Sequence, residues 1–189
     1  YVNYSTSYVK KILEKWYQDN LKNKYDNFVS TSAIYCNDTS EPSTSGQFGS
    51  YTRLITNKTP TYDCTNVNDK FTVDTSTGNG KLTYPVALMT ADEVSFAGGV
   101  LFKDTKAWSL YNNNSVNGGS TGNEWWWLLS PFYWDNNFAY VFNVTAPSDS
   151  FGKLNGNTTG LTNGVRPVIS LKSCVKIRGG DGSASDPYT

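Results

Sequence analysis

The chain contains no histidine. That removes the commonest general base, the commonest metal ligand and the one side chain that titrates near neutral pH. Most hydrolase and metalloenzyme templates go with it. Charge is scarce too: Lys+Arg and Asp+Glu number 16 each, and charged residues are only 17% of the chain. No basic run stands out, so the electrostatic footprint of a protein that binds nucleic acid or an anionic membrane is missing. No apolar run approaches the ~20 residues of a membrane-spanning helix, and no signal peptide is visible. There are three cysteines and no C-x-x-C pair, which argues against a zinc site. A catalytic cysteine without a histidine partner is a poor reading. No metal and no cofactor is predicted.

What remains is aromatic and amide-rich. Phe, Trp and Tyr make up 15% of the 189 residues, and the polar surface must come mostly from Asn, Ser, Thr and Gly. That mixture suits extracellular β-rich domains and contact surfaces, where rings give area and amides give adaptable hydrogen bonds. The length fits a single domain spanning 1–189 with a core of its own. The abrupt start at Tyr1-Val2-Asn3 reads as a piece of a longer surface protein whose targeting segment lies upstream. Cys36 and Cys64 both sit in Asn/Asp/Thr-rich loops and are candidates for a disulfide closing a long loop, with two free thiols as the other reading; a disulfide implies an oxidising compartment. Cys174, in Ser173-Cys174-Val175, reads as a buried inert thiol on an apolar strand.

Residues 7–22 carry apolar side chains at three- and four-residue spacing (Val9, Ile12, Leu13, Trp16, Tyr17, Leu21) behind N-cap oxygens at 5–7, which predicts a helix docked on the core, Trp16 included. Thr90 with Glu93 forms a capping box ahead of a second, short helix that Gly98-Gly99 would end. Residues 28–35, 51–55, 125–130, 138–144, 165–171 and 174–177 are predicted strands, with a short apolar segment at 84–88. Residues 103–123 are too polar to pack alone. The pattern is α+β with a largely antiparallel sheet.

The stretch EWWWLLSPFYWDNNFAYVF, 124–142, is the densest in information. FAYVFNV alternates: Phe138, Tyr140, Phe142 and Val144 share one face, and Ala139, Val141 and Asn143 share the other. Both faces are largely apolar, which predicts a central strand. Three consecutive indoles cannot all enter one core, so at least one must cover a loop or reach the surface. Ser130-Pro131 is read as the end of the first strand, and Asp135-Asn136-Asn137 as a tight turn. Residues 132–137 then expose large rings beside short polar groups.

WWWLLSP, AYVFNV, SFGKL and NGVRPVISL, taken in that order with LMTADEVSFAGG, WYQDNL and YTRL, resemble the bacterial surface domains grouped as the domain of unknown function numbered 6273, some from gut bacteria with a pilin-like N-terminus. The Gly-Val-Arg-Pro close also resembles the C-type lectin-like fold of the formylglycine-generating type. The resemblance implies a short twisted antiparallel sheet flanked by one or two helices, with long ordered loops. It implies no formylglycine chemistry, because no matching cysteine pair is present. A branch of that fold serves as the variable proteins of diversity-generating retroelements, whose altered Asn-rich positions cluster on one ligand-binding surface. Asn136, Asn137, Asn143, Asn155, Asn157 and Asn163 fall in the corresponding region, although an AT-rich genome would also favour asparagine.

The expected function is a non-enzymatic ligand-binding module of a bacterial cell surface or pilus, contacting an extracellular protein or glycan. Its ligand-binding residues are expected to be Tyr133, Trp134, Asp135, Asn136, Asn137, Asn143, Ser148, Phe151, Asn155 and Asn157. A structural pilin-like subunit is one rival, which deep burial of Tyr133 and Trp134 would favour. A carbohydrate-active enzyme using Glu124 and a second carboxylate is the other. Asp181 and Asp186 supply too few oxygens for the six to eight ligands or so that calcium takes, and a plain loop is preferred there. Arg166 is assigned a framework role in an ion pair or backbone hydrogen bonds.

Overall fold

A computed structural model describes residues 7–40, 46–105, 125–135, 137–145, 152–181, 185–186 and 188–189. Helix α1 runs Tyr8–Asn20, and Ser7 caps it by accepting the Lys10 N–H. Strands β1 (Tyr35–Cys36) and β2 (Lys70–Phe71) form a two-stranded antiparallel ladder. Between them, α2 (Gly49–Tyr51) passes directly into a π-helical turn, Thr52–Asn57. Helix α3 is Ala91–Phe96. The main sheet is antiparallel, ordered β3 (Trp126–Trp134), β4 (Ala139–Val144) and β5 (Leu154–Thr158). Among the described residues the architecture is α+β with two short antiparallel sheets.

The three tryptophans are accommodated by a core on each side of the main sheet. Trp126, Leu128, Phe142, Val144 and Leu154 face one cluster with Leu54, Ala91 and Val94, and Trp125 packs at its margin. Trp127 faces the opposite cluster with Leu13, Tyr17, Val29, Val86 and Leu88, against which Trp16 and Val141 also pack. Period-two alternation sends neighbouring indoles to opposite sides, so Trp126 and Trp127 are both buried. Phe142 is fully enclosed, and truncating a ring so placed costs about 3–5 kcal/mol.

The outer edge of β3 is covered by three separate segments. The Trp127 N–H donates to the Gly164 carbonyl at 3.0 Å, Leu129 N–H to Met89 at 2.7 Å, and Trp134 N–H to Gly46 at 2.6 Å. The Gly-Val-Arg-Pro motif thus lies against the tryptophan strand, with the Arg166 guanidinium carbon 4.5 Å from the Trp126 ring centre. Such a stack is a framework contact.

Several expectations need correction. Residues 51–55 are helical, not extended: Leu54 enters the core and Arg53 is held by two carboxylates, which outweighs the β-leaning local composition. Residues 28–35 hold the end of a 3-10 turn, Asp26–Phe28, and one bridge at Val29 before β1 begins. Residues 165–171 are not one strand, because Gly164, Val168 and Leu171 bridge in turn to Trp126, Ala87 and Val29. Residues 174–177 form no strand, and Cys174 is exposed, not buried. Ser130-Pro131 does not end β3, which continues to Trp134 through register shifts on either side of Pro131. Cys36 and Cys64 are bonded to each other.

Candidate functional site

The β3–β4 hairpin ends in a turn built around one carboxylate. Asp135 Oδ1 accepts the N–H groups of Asn137 at 2.8 Å and Phe138 at 2.6 Å, and the Tyr140 hydroxyl reaches Oδ2 at 3.3 Å. The Asp135 N–H closes the loop on the Phe138 carbonyl at 3.1 Å. These donors, Asn137 first and Phe138 second, stabilise the anion and hold the Asp135 carboxyl below its ordinary pKa. The short side chain of Asp is what allows this local closure.

Large rings flank the turn. Trp134 is 48% and Phe138 57% exposed. Tyr133 and Tyr140 pair across the hairpin with ring centres 5.8 Å apart. Behind them, Phe132 packs edge-on to Tyr51 at 4.9 Å and to Phe142 at 4.8 Å. A Cβ on Gly156 would run into the Phe132 ring, so glycine there lets β5 pass under it. Gly46, with φ +83°, is needed beside Trp134, since any Cβ would strike the Trp134 carbonyl. The exposed rings therefore stand on backbone tied from both sides.

The expected contact residues divide into groups. Tyr133, Trp134, Asp135 and Asn137 are brought together on the hairpin end. Asn136, Ser148 and Phe151 lie outside the described residues, as does Glu124. Asn155 and Asn157 are half-buried on β5, where their Oδ1 atoms accept the N–H groups of Gly156 and Thr158 at 2.9 and 3.0 Å. Asn143 is fully buried, with neither side-chain polar atom hydrogen-bonded among the described residues. Its face carries Trp127 on one neighbouring strand and Asn155 on the other, so it belongs to the sheet interior and not to a solvent-facing patch. Phe138, assigned to the framework by its alternation, is instead an exposed ring at the turn. It is the first residue after the turn, one position before the sheet begins to cover its face.

Among the described residues no group of three or more His, Cys, Asp or Glu is gathered as a metal site, and no helix is long and apolar enough to cross a membrane. The site is thus an aromatic and amide surface on a small α+β framework. No protein-family model, no curated protein and no solved structure matches the chain.

Proposed function

We propose that this chain is a non-enzymatic binding module of an extracellular protein, in a bacterial surface or pilus setting. Its contact region is the hairpin end, where Tyr133 and Trp134 project to opposite faces of β3 and Asp135, Asn137 and Phe138 form the turn after them. The observation that carries the reading is the pair of half-exposed rings, Trp134 and Phe138, on a turn closed by Asp135. Exposing such rings on fixed backbone is unfavourable for an isolated protein but gives low-entropy contact area to a partner. The disulfide between Cys36 and Cys64 is compatible with an oxidising compartment. The helix, the late antiparallel sheet and the adjacency of the tryptophan strand with Gly-Val-Arg-Pro support a C-type lectin-like assignment.

Burial of Tyr133 and Trp134 would have favoured a purely structural subunit; Trp134 is half-exposed. Retroelement diversification is part of the same proposal. Asn137 stands in the contact region, whereas Asn143 is interior, so varied codons are expected at the former and not the latter. The test is a panel of purified polysaccharides and extracellular proteins probed with the wild type and with Trp134→Ala/Phe138→Ala. A bound panel member should lose affinity at least about tenfold in the double variant. Equal affinity of both forms for that member would overturn the assignment.

A further inference from the structure

An open groove of about 630 Å3 lies beside α3, apart from the hairpin end. Tyr62, Met89, Phe96, Pro167 and Ile169 line it, and Glu93 is the charged side chain among its lining residues. Two aromatic rings form its rim: Tyr62 and Phe96 stack at 4.3 Å with 18° between planes, yet are 69% and 47% exposed. Tyr62 belongs to a segment without regular structure, but the segment is pinned on both sides of the ring. The Thr61 N–H donates to Asp92 Oδ1 at 3.0 Å, and Cys64 is bonded to Cys36. The other rim is set by the capping box of α3, in which Glu93 Oε2 accepts the Thr90 N–H at 2.7 Å and the Thr90 hydroxyl at 3.0 Å. Both of these hydrogen bonds fall on Oε2, and no lysine or arginine is among the groove's lining residues.

A fixed aromatic rim, an apolar floor and one anion, with no basic side chain among the lining residues, select a particular chemistry. An anionic ligand would meet Glu93. A sugar would meet the rings but few polar partners, chiefly Glu93 Oε1 and the Tyr62 hydroxyl. A cation on an aliphatic stem satisfies every wall: ring faces and carboxylate attract the head, and the floor covers the methylenes. We propose that this groove takes a lysine or arginine side chain of a partner protein, with its head at Glu93 Oε1 and the Tyr62–Phe96 rim. The inference stands on the groove alone and does not depend on the hairpin-end reading.

The test is an amide NMR titration of the intact chain with N-acetyl-arginine methylamide, N-acetyl-norleucine methylamide and methyl α-glucoside. The arginine compound should shift the Phe96, Ala97 and Ile169 amides saturably, with the norleucine compound about two- to fivefold weaker, the value of one partly exposed charge pair. Glu93→Gln should weaken arginine binding about two- to fivefold while α3 amides keep their positions, because glutamine can serve the same capping box. Tyr62→Ala should weaken it as well, with β3 and β4 amides unmoved as evidence of folding. Norleucine binding as tightly as arginine, an unchanged Glu93→Gln, the glucoside outbinding arginine at these amides, or no shift with the arginine compound would each overturn the proposal.

Discussion

Replacing Arg53 by alanine should destabilise the fold by about 3 kcal/mol, and the figure follows from what the guanidinium holds. Its Nε and Nη2 bond both carboxylate oxygens of Asp92 at 3.0 and 2.8 Å, and Nη1 bonds Asp38. It thereby ties the π-helical turn to α3 and to the loop after β1. Burial opposes the charge on Arg53, but the hydrogen bonds to Asp92 and Asp38 outweigh it and raise its pKa; Asp38 is likewise held low despite burial, by Ser40 and Arg53. Removing one partner of a buried pair costs about 3–5 kcal/mol because the other charge is stranded. The Asp92 side chain is only 5% exposed and would keep the Thr61 N–H as a hydrogen-bond partner, whereas Asp38 at 18% can reach water. The low end of that range therefore applies. At roughly 2–4 °C per kcal/mol for a chain of this size, Tm should fall by about 6–12 °C. Urea unfolding of Arg53→Ala, Arg53→Lys and Arg53→Leu/Asp92→Leu is the assay. Lysine keeps the charge but cannot fork, so it should recover only part of the loss. The double variant should be more stable than Arg53→Ala, having removed the stranded anion. A loss under about 1 kcal/mol for Arg53→Ala, or a double variant no better than the single, would refute the reasoning.

Three further outcomes are expected. Reduction of the bond between Cys36 and Cys64, which lie 28 residues apart, should cost about 3–4 kcal/mol on a chain-entropy basis, read as a drop in the urea midpoint under dithiothreitol relative to oxidised protein. Asn143→Leu should raise the urea midpoint by the equivalent of about 1–2 kcal/mol, since it replaces two buried atoms lacking hydrogen bonds among the described residues with an apolar group of similar size; destabilisation would show that the amide is satisfied. The depressed Asp135 pKa means the turn's contribution is complete above the ordinary carboxylate value of about 4 and is lost as pH falls through the lower folded value; the Phe138 amide proton should titrate with a midpoint below that value, and Asp135→Asn should abolish the step.

The parts of the fold that were legible in the sequence are those where local pattern and burial agree. The stripe of Leu13 and Tyr17, the Thr90–Glu93 capping box and, past Phe138, the alternation of 139–144 each describe one element's relation to one or two faces, and each appears in the structure as expected. What was not legible depends on partners far along the chain. Tyr-Thr-Arg-Leu-Ile has strand-forming side chains, and only Asp38 and Asp92, 15 and 39 residues from Arg53, reveal why it coils. Val-Arg-Pro-Val-Ile reads as one strand because alternation cannot tell a ladder from three unrelated bridges. Pro131 reads as a strand end because the register shifts that let β3 continue are set by its neighbour, β4. For the site, the turn was legible from Asp135 and its amides, while the burial of Asn143 was not. An asparagine among apolar residues can face solvent or interior, and only the second core, filled by Trp127 and α1, decides which.

The account rests on the hairpin end being the surface that meets a partner. Hydrogen–deuterium exchange on the intact chain, with and without a panel member that it binds, tests this most directly. Protection is predicted to concentrate at amides 133–140, with β1, β2 and the α1 core unchanged. Protection elsewhere with 133–140 unaffected by a saturating ligand would contradict it.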